Sequence, residues 1–400
     1  MKAHSRSSVV VVALLARLAA VLLSGRTVGD VLRYRKVADF ILAGHWNPYA
    51  LPHLYPYPPV WVWVEAGAGW VADHTGLSFA VLVKLPLVAA DVGIVLLLWQ
   101  WGRQHDKTSR AAWFYALHPV SLLVTGVHGQ FDALMLLAIL WAVRAQQDGR
   151  NDASALAVAA AVAVKSFPIV LVPFLAARAG GARAAARFAV FAVAPVVLLL
   201  LPFALSDPNA LRRELLGYGG VADFGWIGLW RGISWLGSGV LPRSEAWHWA
   251  ALVSVAKGVF LVAWAALALA FVAGRLRWST PQAVLAVFLA FHVFYGAVSA
   301  QYLLWTVPFA LLAGGRHLSA YSAAATLALL GFYAFLQPGM LWSAPPSWAA
   351  SPSAGRVWVL GVTAVIAVCA IWLAALLRSG RDANLARPAA AAPRSEASHT

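Results

Sequence analysis

The sequence predicts an all-α polytopic membrane protein with about twelve transmembrane or half-spanning helices, and three observations carry that expectation. Hydrophobic residues fill 62% of the 400 positions and charged residues only 11%, too little polar surface to enclose a soluble core of this size. Apolar runs of roughly 15–25 residues recur along the chain, the length a helix needs to cross a hydrocarbon layer. The lysines and arginines behind the formal net charge of +15 lie mainly between those runs. There they set orientation and meet anionic lipid headgroups, and nucleic-acid binding is not expected.

In chain order the apolar segments read at 8–25, 77–101, 111–126, 131–147, 153–165, 167–177, 188–204, 250–273, 281–298, 301–314, 319–336 and 356–378. The fifth and sixth are too short to span alone and flank "VKSFP", so Lys165 and Pro168 are expected at the tip of a hairpin. Residues 57–73 are interrupted by Glu65 and rich in Trp61, Trp63 and Trp70, which suits a helix lying in the membrane interface within a long first extracytoplasmic loop. With that stretch kept out of the count, alternate loops on the N-terminal side carry roughly twice the Lys and Arg of the others, which predicts both termini in the cytoplasm of a plasma-membrane protein. Lys2 and Arg6 before the first run resemble a signal peptide's charge asymmetry, but an uncleaved first span is expected because many runs follow. One transmembrane domain is expected over 1–378, with helical modules at about 8–204 and 250–378, followed by a disordered cytoplasmic tail over 379–400. The single cysteine, Cys369, excludes a disulfide framework.

This topology places the unusual polar residues on one surface. The first outer loop carries Asp30, Arg33, Tyr34 and "GHWNPYALPHLYPYPP" with Asn47, Tyr49 and Tyr57. The second carries "HGQFD" with His128, Gln130 and Asp132, the hairpin tip carries Lys165, and a later turn carries "SAQY" with Gln301 and Tyr302. An enzyme working at the outer leaflet needs such a gathering at the water–lipid boundary, whereas a transporter places polar groups nearer mid-membrane.

Each residue also has a structural reading. Asp30 precedes a helical pattern and could be an N-cap, although Arg33 stands where a capping box wants Glu or Gln. The tyrosines suit interface anchors as well as substrate contacts, "HGQFD" suits a simple turn at Gly129, and Lys165 suits a snorkelling lysine. Asp91 and Lys84 are expected to partner neighbouring helices, and His292 suits a packed histidine as well as a ligand. The chain has no P-loop, no HExxH and no Asp-x-Asp, so neither nucleotide nor metal chemistry is indicated; no cofactor is expected, and a divalent-metal requirement stays open.

The order "GDVLRY…ADFILAGHWNPY…YPYPP", "LHPVSLLVTGVHGQFDAL", "AVKSFPIVLVPF", "SAQYLLWTVPF" resembles the GT-C class of polytopic glycosyltransferases that use polyprenyl-phosphate sugars. The likeness is to the glycosylphosphatidylinositol mannosyltransferase I family and to bacterial polyprenol-phosphate-mannose-dependent α-mannosyltransferases, over roughly residues 26–175 and 290–312. It implies a GT-C-like fold and an inverting transfer, most naturally of mannose, from a polyprenyl phosphate to a lipid-linked or glycolipid acceptor at the outer face. Asp30 would be the base, with Leu32 standing where the family often has a second acid. His128, Gln130, Asp132, Lys165, Gln301 and Tyr302 match the family's polar turns, and Arg33, Tyr34, Asn47, Tyr49, Tyr57 and His292 join them as candidate substrate contacts. Lys165, with Arg33 or Arg231 behind it, would meet the leaving phosphate, and the loop 205–249 with Asp223, Trp226 and Trp230 would cover the site or grip the acceptor. The competing readings are a GT-C enzyme with an arabinose, glucose or aminosugar donor, a flippase for lipid-linked glycans, and an interaction scaffold.

Overall fold

A computed structural model describes residues 6–24, 26–104 and 110–385, whose regular structure is helical. The principal helices are α1 (Arg6–Leu23), α2 (Asp30–Leu42), α3 (Val60–Thr75), α4 (Phe79–Gln104), α5 (Arg110–Ala116), α6 (Asp132–Gln147) and α7 (Asn151–Val164). They continue as α8 (Ala182–Ser206), α9 (Gly225–Ser238), α10 (Ala250–Val272), α11 (Thr280–Phe294), α12 (Thr306–Ala313), α13 (Leu318–Leu336) and α14 (Pro352–Leu385). Among the described residues six helical stretches are long and apolar enough to cross a membrane: α1, Phe79–Gly102, α8, α10, α13 and Pro352–Asp382. Asn151–Val164, Phe167–Ala176, Thr280–Phe294 and Ala300–Ala313 are apolar but shorter.

Where the remaining runs break, a local reason is visible. The run expected at 111–126 becomes α5, a turn at Pro119–Ser121 and a wide π-helical turn at Leu122–His128. Pro119 enters at the first position of that turn, where its missing N–H costs nothing. At the expected hairpin, α7 stops where Lys165 turns extended (φ −150°, ψ 131°), and Pro168 opens the following 3₁₀ turn. The helix α14 continues through Leu385, past the expected start of the tail at 379, and residues 386–400 lie outside the described part.

Helix packing uses small residues where backbones meet. Along α13 and α14 a Cβ at Gly331 would sit 2.3 Å from the Trp358 nitrogen, and one at Gly361 would sit 2.4 Å from the Ala328 backbone. Such close approach substitutes dispersion for the hydrophobic drive that lipid does not supply.

The charges inside the spans pair with neighbouring helices, as expected for Asp91 and Lys84. Asp91 accepts from Arg17 Nε at 2.8 Å, the Tyr115 hydroxyl at 2.5 Å and the Ser121 hydroxyl at 2.6 Å. That cluster locks α1 to α4 and α5. Lys84 Nζ donates to the Ser24 carbonyl at 3.2 Å, the Ser24 hydroxyl at 3.1 Å and the Val127 carbonyl at 2.8 Å. It thus ties the end of α1 to the turn that carries His128.

The helices α2 and α3 pack together as a unit beside α4. Tyr34, Trp61 and Phe131 fill their interface, with Trp61 stacked on Phe131 at 4.6 Å between ring centres. Val60–Thr75 is too short to count among the six candidate spans, and burial pushes the carboxyl of Glu65 within it well above its ordinary value.

Candidate active site

Asp30 is the first residue of α2, and its position depends on the glycine before it. Gly29 has φ +56° and ψ −128°, and a Cβ there would come within 2.1 Å of the Met340 methyl. Glycine alone suits both constraints. The N-cap is therefore Gly29 with no side-chain cap, and the carboxylate of Asp30 is not used to cap its helix.

It meets the second polar turn instead. His128 ends the π-helical turn, Gly129 reverses the chain with φ +79°, and Gln130 follows with its N–H on the Val124 carbonyl at 3.1 Å. This wide turn brings both side chains to Asp30. His128 Nε2 lies 3.0 Å from Asp30 Oδ2, and the Gln130 side-chain amide donates to the same oxygen. The other face of the imidazole, Nδ1, lies 3.0 Å from the Tyr333 hydroxyl on α13. With a proton on Nε2 the ring donates to the carboxylate, while Nδ1 pairs with the Tyr333 hydroxyl, a group able to donate or accept.

Two donors on Oδ2 leave Oδ1 without a hydrogen bond among the described residues, with Arg33 Nε 4.0 Å away. Burial opposes ionisation of Asp30. The hydrogen bond and charge of His128, then the charges of Arg33 and Lys165, outweigh it and hold the carboxyl below its ordinary value. Asp30 is an ionised acceptor with one oxygen to spare, and its side chain is 27% exposed.

The carboxylate lines a cavity of about 460 Å³, in the size range of small-ligand sites. Gly29, Arg33, Tyr34, Tyr57 and His128 form one side, and Ser299, Ala300 and Gln301 bring the later polar turn to it. The loop between α8 and α10 closes the other side with Arg213, Glu214, Tyr218, Asp223 and Glu245, followed by Lys257 of α10. Backbone pairing between Phe224 and Val298, at 2.8 and 3.2 Å, anchors that loop to the turn holding Gln301.

Asp223 is one of three acids, with Glu214 and Glu245, that join Asp30 in lining the cavity. Burial and the charge of Asp30 push its carboxyl up, while Arg231, 3.0 Å away, pulls it down, and the net shift is upward. Of the aromatic residues expected on the loop between α8 and α10, neither Trp226 nor Trp230 lines the cavity: Trp226 donates to the Phe294 carbonyl, and Trp230 packs on Trp249.

Several expected contacts stand behind the wall. Lys165 is buried against Asp132, with Nζ 2.9 and 2.8 Å from the two carboxylate oxygens, and Trp305 donates to the same acid. The ammonium sits among the rings of Tyr57, Phe131, Tyr302 and Trp305, 5.0–5.8 Å from their centres. Its charge is already matched, so it is not a free cation for a phosphate, and Tyr302 packs beside it rather than facing the cavity. Arg231 is likewise occupied by Asp223 and the carbonyls of Ala222 and Pro242.

Asn47 caps the turn at Pro48–Ala50 by accepting the Tyr49 N–H at 3.1 Å, and the Tyr49 hydroxyl donates to the Tyr57 carbonyl at 2.9 Å. Both lie outside the cavity and hold Tyr57 at its edge. His292 is buried in α11 with Nδ1 2.7 Å from the Phe288 carbonyl and does not line the cavity. Tyr333 carries no signal in the sequence beyond an aromatic in an apolar span. Lys257 carried one, a charge within the apolar run 250–273.

Residues 51–181 match the family model of the alpha-(1->6)-mannopyranosyltransferase N-terminal domain, the MptA_B family. The matched stretch holds His128, Gln130, Asp132 and Lys165, and it bears out the resemblance to GT-C mannosyltransferases drawn from the motifs. No curated protein matches the chain. With its apolar spans and this match the chain reads as a membrane glycosyltransferase of the mannosyl type.

Proposed function

We propose that the chain moves mannose from a polyprenyl-phosphate donor to a lipid-linked or glycolipid acceptor at the outer face of the plasma membrane, by inverting displacement. The observation that carries this reading is Asp30: an ionised carboxylate, oriented by His128 and Gln130, facing a sugar-sized cavity framed by apolar helices. Oδ1 accepts the proton of the acceptor hydroxyl as that oxygen bonds to the anomeric carbon, and the bond from that carbon to the phosphate oxygen breaks on the opposite face. The electron pair leaves with the phosphate, which needs no proton. His128 and Gln130 keep Oδ2 occupied, so the incoming proton is directed to Oδ1. Asp223, Tyr57 and Gln301 line the same cavity, and in this reading they hydrogen-bond sugar hydroxyls.

The flippase reading is disfavoured because Arg17, Asp91 and Lys84 are consumed in contacts between helices and form no polar path. A polyprenyl-phosphate arabinose, glucose or aminosugar fits the same chemistry, and the assay must separate these donors. Membranes from expressing cells are offered a panel of polyprenyl-phosphate sugars, with Asp30→Asn beside the native protein. Mannose transfer is expected, falling by about 10²–10⁴-fold in Asp30→Asn with insertion unchanged. Unaltered transfer in that variant removes Asp30 as the base, and absence of transfer from every donor sinks the enzymatic reading.

A further inference from the structure

The expected phosphate cation, Lys165, is spent on Asp132, which leaves open what receives the anionic part of a lipid-linked substrate. Three lysines and arginines line the cavity: Arg33, Arg213 and Lys257. Arg33 faces Asp30 at 4.0 Å, and Arg213 is bound to Glu214 at 2.8 Å and to the Tyr49 carbonyl at 3.0 Å. Lys257 has no acid partner among the described residues. Its Nζ donates to the Tyr218 carbonyl at 2.7 Å, and an ammonium has three protons to give.

Its place on α10 matters as much as its charge. Ala250, Val253, Ser254 and Lys257 all line the cavity and follow one helix face, so the cavity descends about 10 Å along α10 from its first residue to Lys257. One turn further on, Leu261 is 51% exposed, and at Gly258, next to Lys257, an added Cβ would meet nothing within 4 Å. The cavity lining on this helix thus ends at Lys257 beside exposed apolar surface, an order that suits an amphiphile with an anionic head and a hydrocarbon tail.

We propose that Lys257 binds the phosphate of the polyprenyl-phosphate substrate and that its isoprenoid tail leaves along Gly258 and Leu261. This rests on the glycosyltransferase reading above and adds the place where the lipid enters. Holding the phosphate there leaves its sugar in the cavity that Asp30 lines, and spares Arg33 for the carboxylate.

The test uses the full chain in nanodiscs of neutral lipid and measures binding of sugar-free polyprenyl phosphate. Lys257→Gln, which keeps a donor for Tyr218 but no charge, should weaken binding by about 10-fold or more, while Lys257→Arg stays within about 3-fold of native. Uncharged polyprenol should bind native and Lys257→Gln alike, and equimolar inorganic phosphate should not displace the lipid. On the native protein, independent of any variant's folding, a polyprenyl phosphate with a photoreactive tail should label residues 258–265. Equal affinity in Lys257→Gln, or labelling confined to other helices, overturns the proposal while leaving mannose transfer and the role of Asp30 standing. Displacement by inorganic phosphate overturns the lipid assignment, and a native protein that binds no polyprenyl phosphate removes the donor reading with it.

Discussion

His128 Nε2 sits 3.0 Å from Asp30 Oδ2 although 98 residues separate them, and this contact is the largest influence opposing the burial of the carboxylate. Burial works to raise the pKa of Asp30; His128, joined by the charges of Arg33 and Lys165, outweighs it, and the net shift is downward. An aspartate shifted down is ionised throughout the neutral range. The stabilisation it gives the fold is complete above its ordinary value of about 4 and lost as pH falls through the lowered native one.

A pH profile of transfer should show this dependence. In the native protein the acid limb due to Asp30 lies below the ordinary aspartate range. In His128→Ala the limb moves up, because burial then acts with less opposition. Profiles of log kcat/KM against pH for the two proteins check it, and superimposable acid limbs would mean that His128 does not tune Asp30.

Tyr333 acts one step further away. Tyr333→Phe removes the hydroxyl 3.0 Å from His128 Nδ1 and leaves the ring in place. Loss of one such hydrogen bond should lower kcat/KM by about 3–10-fold, far less than Asp30→Asn. A fall as deep as that of Asp30→Asn would give Tyr333 a direct part in the chemistry.

The Lys165–Asp132 pair makes a prediction about stability. Lys165→Met strands a buried carboxylate and should cost about 3–5 kcal/mol, whereas Lys165→Met with Asp132→Leu should recover most of that loss. Thermal unfolding in detergent compares the three proteins. Were the single variant as stable as native and only slow in transfer, Lys165 would act on substrate.

Gly29→Ala tests how Asp30 is aimed. The added methyl meets Met340 in a backbone conformation that disfavours a Cβ. Transfer should drop by at least about 10-fold, and Met340→Ala in the same chain should restore only part of it because the φ strain of about 1–2 kcal/mol remains. Full activity in Gly29→Ala would show that the turn tolerates another path.

What was legible in the sequence was local. Apolar length marked the helices, six of them long enough to span, prolines and glycines marked where they break, and the polar clusters around Asp30, His128 and Gln301 marked turns that meet at the cavity. Those properties follow from hydration cost and backbone geometry, which each short segment carries alone. Which polar side chains meet depends on how the helices pack. Only the tertiary structure set His128 and Gln130 on Asp30, spent Lys165 on Asp132, and brought Tyr333, Asp223 and Lys257 to the site from more than 190 residues away. A carboxylate, an imidazole and an ammonium read alike in a sequence whether paired or free. Their chemistry is decided by distance and burial, and those arise only when the spans pack against one another.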